Sequence, residues 1–203
     1  MTPKWTILTL TQPSRSEYLR RLTDCLAPQL QERPEVWWFA ATSWAKYSLG
    51  ENRQKMIDDA LKVAMSEYIC FVDDDDLVAD DYVSTILPLL DRDYVGFRVQ
   101  CYMDGAPFSK TFHSLKYDRW WNDEHGYYRH ISHLNPIRRE LALLAPMEGG
   151  VGEDHRWADR LYATGKVRTE HFIDRVMYHY YSRIVKNDAA FRWEPPAPSD
   201  RES

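Results

Sequence analysis

Cysteine is scarce in this chain: Cys25, Cys70 and Cys101 are scattered, odd in number, and all that 203 residues contain. They offer neither a disulfide framework nor a zinc site, and fit reduced thiols. Long hydrophobic runs are missing as well. No apolar stretch approaches the roughly 20 residues that span a bilayer, and the start Met1-Thr2-Pro3-Lys4-Trp5-Thr6 is not patterned as a signal peptide. The expectation is a cytoplasmic protein without membrane contact. There is no long Lys/Arg run, and the net charge of −5 disfavours an extended nucleic-acid groove without excluding a local one. Glycine is absent from Thr9 to Ser16, where a nucleotidyltransferase would carry its phosphate loop. An EF-hand is excluded too. Counted from Asp73, the sixth and twelfth positions are Val78 and Ser84, where that loop needs Gly and Glu.

What is present begins with Tyr68-Ile69-Cys70-Phe71-Val72, a buried-type strand that runs into Asp73, Asp74, Asp75 and Asp76. Two carboxylates about 7 Å apart repel by roughly 2 kcal/mol at an effective dielectric near 20. Several at one strand end need solvent, raised pKa values or a cation. Hard oxygen ligands suit Mg²⁺ or Mn²⁺, and such ions commonly share coordination with substrate phosphates. The carboxyl end of a central strand is also where open α/β sheets bind ligands. A solvated acidic turn is the plainer alternative.

The length and the 44% apolar content imply one domain with a full core. Trp5–Thr11 reads as a strand, followed by a Gln-Pro-Ser-Arg-Ser turn with Ser as N-cap. Glu17–Gln31 places Tyr18, Leu19, Leu22, Leu26 and Leu30 on one helical face. Glu35–Ala41 is a second strand. Glu51–Met65 is a helix with i,i+4 pairs Glu51–Lys55 and Asp58–Lys62. A helix over Asp80–Leu90, weakened by Pro88, completes a βαβαβα run, the mark of a parallel sheet with crossover helices. Beyond it come a strand over 93–103, a loose stretch rich in aromatics and histidine, a short helix over Ile137–Leu144, a helix over Asp154–Thr164 and a final strand over Val176–Tyr180. The tail from Asn187 reads as a Pro-rich arm.

Several segments, in order, resemble the GT-A fold glycosyltransferases of family 2 type. Leu8 to Leu19 is similar to the family's first strand and turn, and Gly50-Glu51-Asn52-Arg53 resembles the helix entry ahead of the metal strand. Phe71 to Leu77 looks like the Asp-x-Asp segment, with Asp73 and Asp75 as principal acids. Gly152-Glu153-Asp154 resembles the Glu-Asp motif of the base, and His179 falls where a closing histidine is common. The resemblance covers roughly residues 5 to 183. It implies an α/β, Rossmann-like, mostly parallel sheet flanked by helices with a loop-rich C-terminal acceptor region. A single domain over 1–186 would divide into a nucleotide-binding half, about 1–92, and an acceptor half, about 93–186.

The resemblance further implies inverting transfer from a nucleoside-diphosphate-sugar to a hydroxyl on a glycan, a protein or a hydroxylated DNA base. Asp154 would be general base and Glu153 its neighbour in donor or acceptor orientation. Thr11, Arg15, Arg53, Asp73 and Asp74 would bind the nucleotide-sugar. Asp75, Asp76 and His179 would hold Mn²⁺ or Mg²⁺. A UDP-sugar is favoured, yet Phe39 to Trp44 has no acidic residue where the family often reads the base, so Trp44 or Tyr47 could stack on it instead. Trp120, Trp121, Tyr127, Tyr128 and His130 could form an acceptor platform or could patch a loop-rich region onto the sheet. A nucleotidyltransferase and a non-catalytic nucleotide- or sugar-binding module are the alternatives.

Overall fold

The computed structural model describes residues 2–182; Arg183, a phosphate-neutralising candidate, and the expected arm from Asn187 lie outside the described residues. In chain order the strands and helices are β1 (Trp5–Thr11), α1 (Ser16–Leu30), β2 (Val36–Thr42), α2 (Leu49–Val63), β3 (Tyr68–Phe71), β4 (Leu77–Val78), α3 (Tyr82–Ile86), β5 (Tyr94–Met103), β6 (Ala106–His113), β7 (Trp121–Asp123), β8 (Gly126–Arg129), β9 (Ile137–Arg138), α4 (Arg139–Ala142), α5 (Glu153–Ala163) and β10 (Glu170–Ser182). They build one sheet in the order β2-β1-β3-β9-β5-β6-β8-β7, with β10 beside β5 and β4. β2, β1 and β3 run parallel, and β10 runs parallel to β5. β9 pairs antiparallel to both β3 and β5 and joins the two parts.

The central strands are buried on both faces, which is why they read as continuous apolar runs. One face of the sheet packs Trp5, Tyr82, Phe97 and Tyr178 into a core with Leu22 and Leu26 of α1. The other packs Phe71 and Ile69 against Met56 and Ile57 of α2 and Trp157 and Leu161 of α5.

Local chemistry moves several boundaries from those the periodicity predicts. α2 starts two residues before Glu51 because Ser48 and Glu51 form a capping box, the Ser48 Oγ accepting from Glu51 N at 3.4 Å and Glu51 Oε2 accepting from Ser48 N at 2.7 Å. Glu51 is thereby used, and Lys55 pairs with Asp59 at 2.9 Å instead. Lys62 also meets Asp59, at 2.7 Å, not Asp58. α1 has no serine cap; a 3₁₀ turn, Pro13–Arg15, leads straight into it. The helix expected over 80–90 is α3 followed by a 3₁₀ turn at Leu87–Leu89, since Pro88 removes a donor. Residues 137–144 divide into β9 and α4, because Ile137 and Arg138 pair with Ile69 and Tyr68. The last strand is longer than expected, 13 residues, with register shifts around Val176.

Gly50 fixes the distance between the two halves. A Cβ there would lie 2.6 Å from the Glu148 backbone, and Gly50 N donates to Gly149 O at 2.8 Å. The first turn of α2 is thus held against the loop that enters α5.

Candidate active site

Five elements converge at the carboxyl end of β3. β1 supplies Thr11, whose Oγ1 donates to Asp74 Oδ2 at 2.7 Å. Arg15, at the mouth of α1, reaches Asp74 Oδ1 at 2.7 Å and Asp75 Oδ2 at 2.6 Å. From α2, the buried Arg53 meets Asp73 Oδ1 at 2.9 Å and Glu153 Oε1 at 3.5 Å. β10 supplies Tyr178: its hydroxyl accepts from Asp73 N at 3.1 Å and donates to Asp76 Oδ2 at 2.8 Å. Asp76 Oδ1 accepts from Tyr181 N at 2.8 Å. α5 begins at Gly152, in the left-handed conformation (φ 80°), so that Glu153 and Asp154 open its first turn.

The four acids differ because their surroundings do. Burial pushes Asp73 upward, but Arg53 and then His133 outweigh it and hold its carboxyl well below the usual range. Asp74 and Asp75 are both raised, chiefly by burial, against the pull of Thr11 and Arg15 on Asp74 and of Arg15 on Asp75. Asp76 is raised far above the ordinary value by burial and by the charges of Asp73 and Asp75. Glu153 is raised by burial, with Arg53 opposing. Burial acts upward on Asp154 too, yet His133, Arg129 and Arg53 together keep it below the ordinary carboxylate value. A carboxylate ionised at neutral pH, with three-quarters of its side chain covered (25% exposed), is in the state a general base needs.

His133 enters from the loop between β8 and β9. Its Nε2 is 3.8 Å from Asp73 Oδ2 and its Nδ1 is 3.8 Å from Asp154 Oδ2. A cleft of about 760 Å³ is bounded by Asp75, Arg15, Tyr18, Arg21, Tyr180 and Tyr181, among others.

The family model described as glycosyl transferase family 2 matches residues 49–143. S. aureus TarS 1–349 in complex with UDP-GlcNAc is similar in structure, with TM-score 0.60, 14% identity, and coverage of 89% of this chain and 59% of TarS 1–349. TarS 1–349 in a second crystal structure gives TM-score 0.58 at 12% identity over 88% of this chain and 60% of that one. A glycosyltransferase involved in the glycosylation of the major capsid of PBCV-1 gives TM-score 0.51 at 12% identity, over 88% of this chain and 93% of its own. No curated protein matches the sequence. The fold is that of these glycosyltransferases, and residues 49–143 are similar to family 2. The chain spans about 60% of the length of TarS 1–349. The family match runs from α2 to the end of α4, so it includes Arg53, Asp73–Asp76 and His133; Glu153 and Asp154 lie beyond it and join the site through the fold.

The structure brings Thr11, Arg15, Arg53, Asp73, Asp74, Asp75, Glu153 and Asp154 into one constellation. It does not bring His179 there. Neighbouring residues of a strand face opposite ways, and Tyr178 takes the inward position. The His179 ring lies over Tyr102 instead, with Nδ1 3.3 Å from that hydroxyl. Asp76 is at the site, where its two oxygens accept from the Tyr178 hydroxyl and from Tyr181 N. Among the described residues no three His, Cys, Asp or Glu side chains are placed to hold a metal ion. Asp75 is 39% exposed and only one of its oxygens meets Arg15. That donor set fits an ion completed by substrate phosphates, the usual manner of Mg²⁺, and not a full protein cage.

The aromatic stretch divides in two. Trp121 stacks on Tyr128 (4.0 Å) and Tyr128 on Phe112 (5.2 Å), a layer on one face of the β6–β8–β7 sheet. Trp120 stacks on His155 of α5 (4.2 Å), next to Asp154, with the Arg129 guanidinium 4.2 Å over its ring. His130 stacks on Tyr162 (4.5 Å) and its Nε2 is 3.3 Å from Asp159. Tyr127 shares a strand face with Arg129. Sequence reasoning missed His133, Tyr178, Arg129 and the role of Asn52. The histidine-rich stretch holding His125, His130 and His133 was the available signal, but nothing in it ranks His133 above His130.

Proposed function

We propose that this domain transfers a sugar from a nucleoside-diphosphate-sugar to an acceptor hydroxyl by inverting displacement. The observation that carries the reading is that Arg53 and His133 tie Asp73, at the donor end of the sheet, to Glu153 and Asp154 at the head of α5. Two chemical needs meet across a few ångströms. Asp154 takes the proton of the acceptor hydroxyl; the hydroxyl oxygen forms the bond to the anomeric carbon; the bond from that carbon to the diphosphate breaks, and the electron pair leaves with the diphosphate. The attack comes from the face opposite the diphosphate.

Thr11, Arg15, Arg53, Asp73 and Asp74 form the donor-binding group. Arg15 and Arg21 line the cleft beside Asp75 and offer cationic partners for phosphate oxygens. Asp75 would hold a Mn²⁺ or Mg²⁺ ion, which supplies positive charge to the leaving diphosphate. The TarS complex with UDP-GlcNAc supports a nucleotide-sugar donor, with UDP the favoured nucleotide. The acceptor would approach past Trp120 and Arg129, which lie beside Asp154. A glycan or protein acceptor suits the net charge of −5 better than DNA does.

Calorimetry with UDP, GDP, CDP and ADP, in Mn²⁺ and then in EDTA, tests the donor side. One nucleotide should bind with metal and lose most of its affinity in EDTA and in Asp75→Ala; equal affinity in all three conditions would remove the ion from the scheme. Asp154→Asn should lose turnover by a factor of about 10²–10⁴ while keeping donor affinity. Full activity in that variant would remove Asp154 from the base role, and binding without turnover in the wild type, across sugar donors and acceptors, would point to a binding module.

A further inference from the structure

The loop that carries His133 is clamped from several sides. His133 O accepts from Phe71 N at 2.8 Å, so the loop runs beside the end of β3. Ser132 N donates to the Tyr94 hydroxyl at 3.2 Å, and the Asn135 amide donates to Val95 O at 2.9 Å. The imidazole is 6% exposed and leans on the Phe71 ring. A buried histidine in so rigid a place ordinarily finds a hydrogen bond for each nitrogen. Here neither nitrogen has one. Each instead points at a different carboxylate, Asp73 and Asp154, at the same 3.8 Å. That distance is beyond a hydrogen bond, and closing it needs a shift of less than about 1 Å on each side. Arg53 makes the parallel link from Asp73 to Glu153, and its Nη1, 3.5 Å from Glu153, is also without a hydrogen bond. The two bases therefore close a ring with three acids around the place where donor and acceptor must meet.

We propose that His133 is the positioning residue of the transfer, holding the Asp154 carboxylate toward the acceptor hydroxyl and linking it to the donor-binding Asp73. The assignment rests on Asp154 being the base. Its physical content is that the ring, when both nitrogens carry a proton to donate, cannot satisfy them until the two carboxylates draw together, and that donor docking on Asp73 is the event that brings them together. The charged and titratable groups facing Asp154 are Arg53 from α2, His113 from β6, Arg129 from β8, His133 from its loop, and Glu153 and His155 on α5 itself. His133 is the one that stands between the base and the donor acid.

The test uses His133→Gln, which keeps a similar volume and an amide but loses the second ring nitrogen and the capacity for charge; His133→Asn replaces it if Gln does not fold. Saturating kcat should fall about 10- to 100-fold, while nucleoside diphosphate affinity changes by less than about threefold. Carbon-13 NMR of the aspartate carboxyls should show Asp154 titrating at higher pH in the variant, and the acidic limb of kcat should move the same way. Removing a neighbour that stabilises the carboxylate has that sign. Unchanged kcat with unchanged Asp154 titration overturns the proposal, as does a kcat loss matched by an equal loss of nucleotide affinity. If the wild type transfers no sugar, the functional reading fails separately. The Asp154 titration then decides alone: an upward shift in the variant supports the link, and no shift removes it.

Discussion

Arg53 shows how one side chain can hold a site open and together. It is buried, it neutralises Asp73 at 2.9 Å, and it lies 3.5 Å from Glu153. Removing one partner of a buried pair leaves an uncompensated charge, so Arg53→Ala should cost about 3–5 kcal/mol at neutral pH. The sign with pH follows from Asp73, whose folded-state pKa is depressed. Its stabilisation is complete above the unfolded-state value near 3.8 and disappears as pH falls through the folded-state value. Urea unfolding of wild type and variant should therefore show a gap that is full at pH 7 and shrinks below about pH 4. A constant gap would mean that Arg53 acts through packing. The residue scale is also where the sequence was hardest to read. Arg53 was visible because it opens a helix beside Asn52; Tyr178 was not, because a tyrosine among Tyr180 and Tyr181 carries no mark of which one turns inward.

At the scale of elements, α2 organises the donor side through its first turn. The capping box starts the helix at Leu49 and aims Asn52 and Arg53 inward, both buried. Asn52 then holds the preceding loop: its Oδ1 accepts from Trp44 N at 2.7 Å, and its Nδ2 faces the carbonyls of Trp44, Tyr47 and Ser48 at 3.2, 3.0 and 3.0 Å. This is the loop in which Trp44 and Tyr47 were expected to meet the base. Asn52→Ala should destabilise by about 1–3 kcal/mol, from the unpaired backbone groups, and should weaken nucleoside diphosphate binding more than it lowers kcat. An equal loss in both would mean that the loop serves the chemistry and not the nucleotide. The element pattern itself was well marked by apolar periodicity up to residue 90. After that β6, β7 and β8 escaped notice, since β6 is largely exposed and neither alternates cleanly nor runs apolar.

For the whole molecule, the sheet is the device that joins the two halves. β9 lies antiparallel between β3 and β5, and β10 brings Tyr178 across to β4 and the acids. On the proposed function, a donor at the end of β3 would meet residues carried by α2, β10 and α5, and its binding would stabilise the fold as a whole. At 100 times the dissociation constant the gain is about 2.7 kcal/mol. At about 2–4 °C per kcal/mol for a chain of this size, the unfolding temperature should rise by about 5–10 °C. Thermal unfolding with the nucleotide, Mn²⁺, and then EDTA checks it, and a rise that EDTA leaves intact would assign the binding to the arginines without an ion.

The sequence by itself determined the parts that depend on neighbours in the chain. Strand-end acids, helix caps and the βαβαβα order are local or periodic, and each is written in a few consecutive residues. It also carried the acid pair at 153–154, since a carboxylate at a helix start is favoured wherever the helix goes. The tertiary structure decided which acids are available and which are consumed. Asp76 is taken by Tyr178, 102 residues away, His179 is turned from the site by the alternation of β10, and His133 is placed between two carboxylates by hydrogen bonds to β3 and β5. Those outcomes rest on which long-range partner the fold places beside a side chain, and spacing along the chain does not encode that.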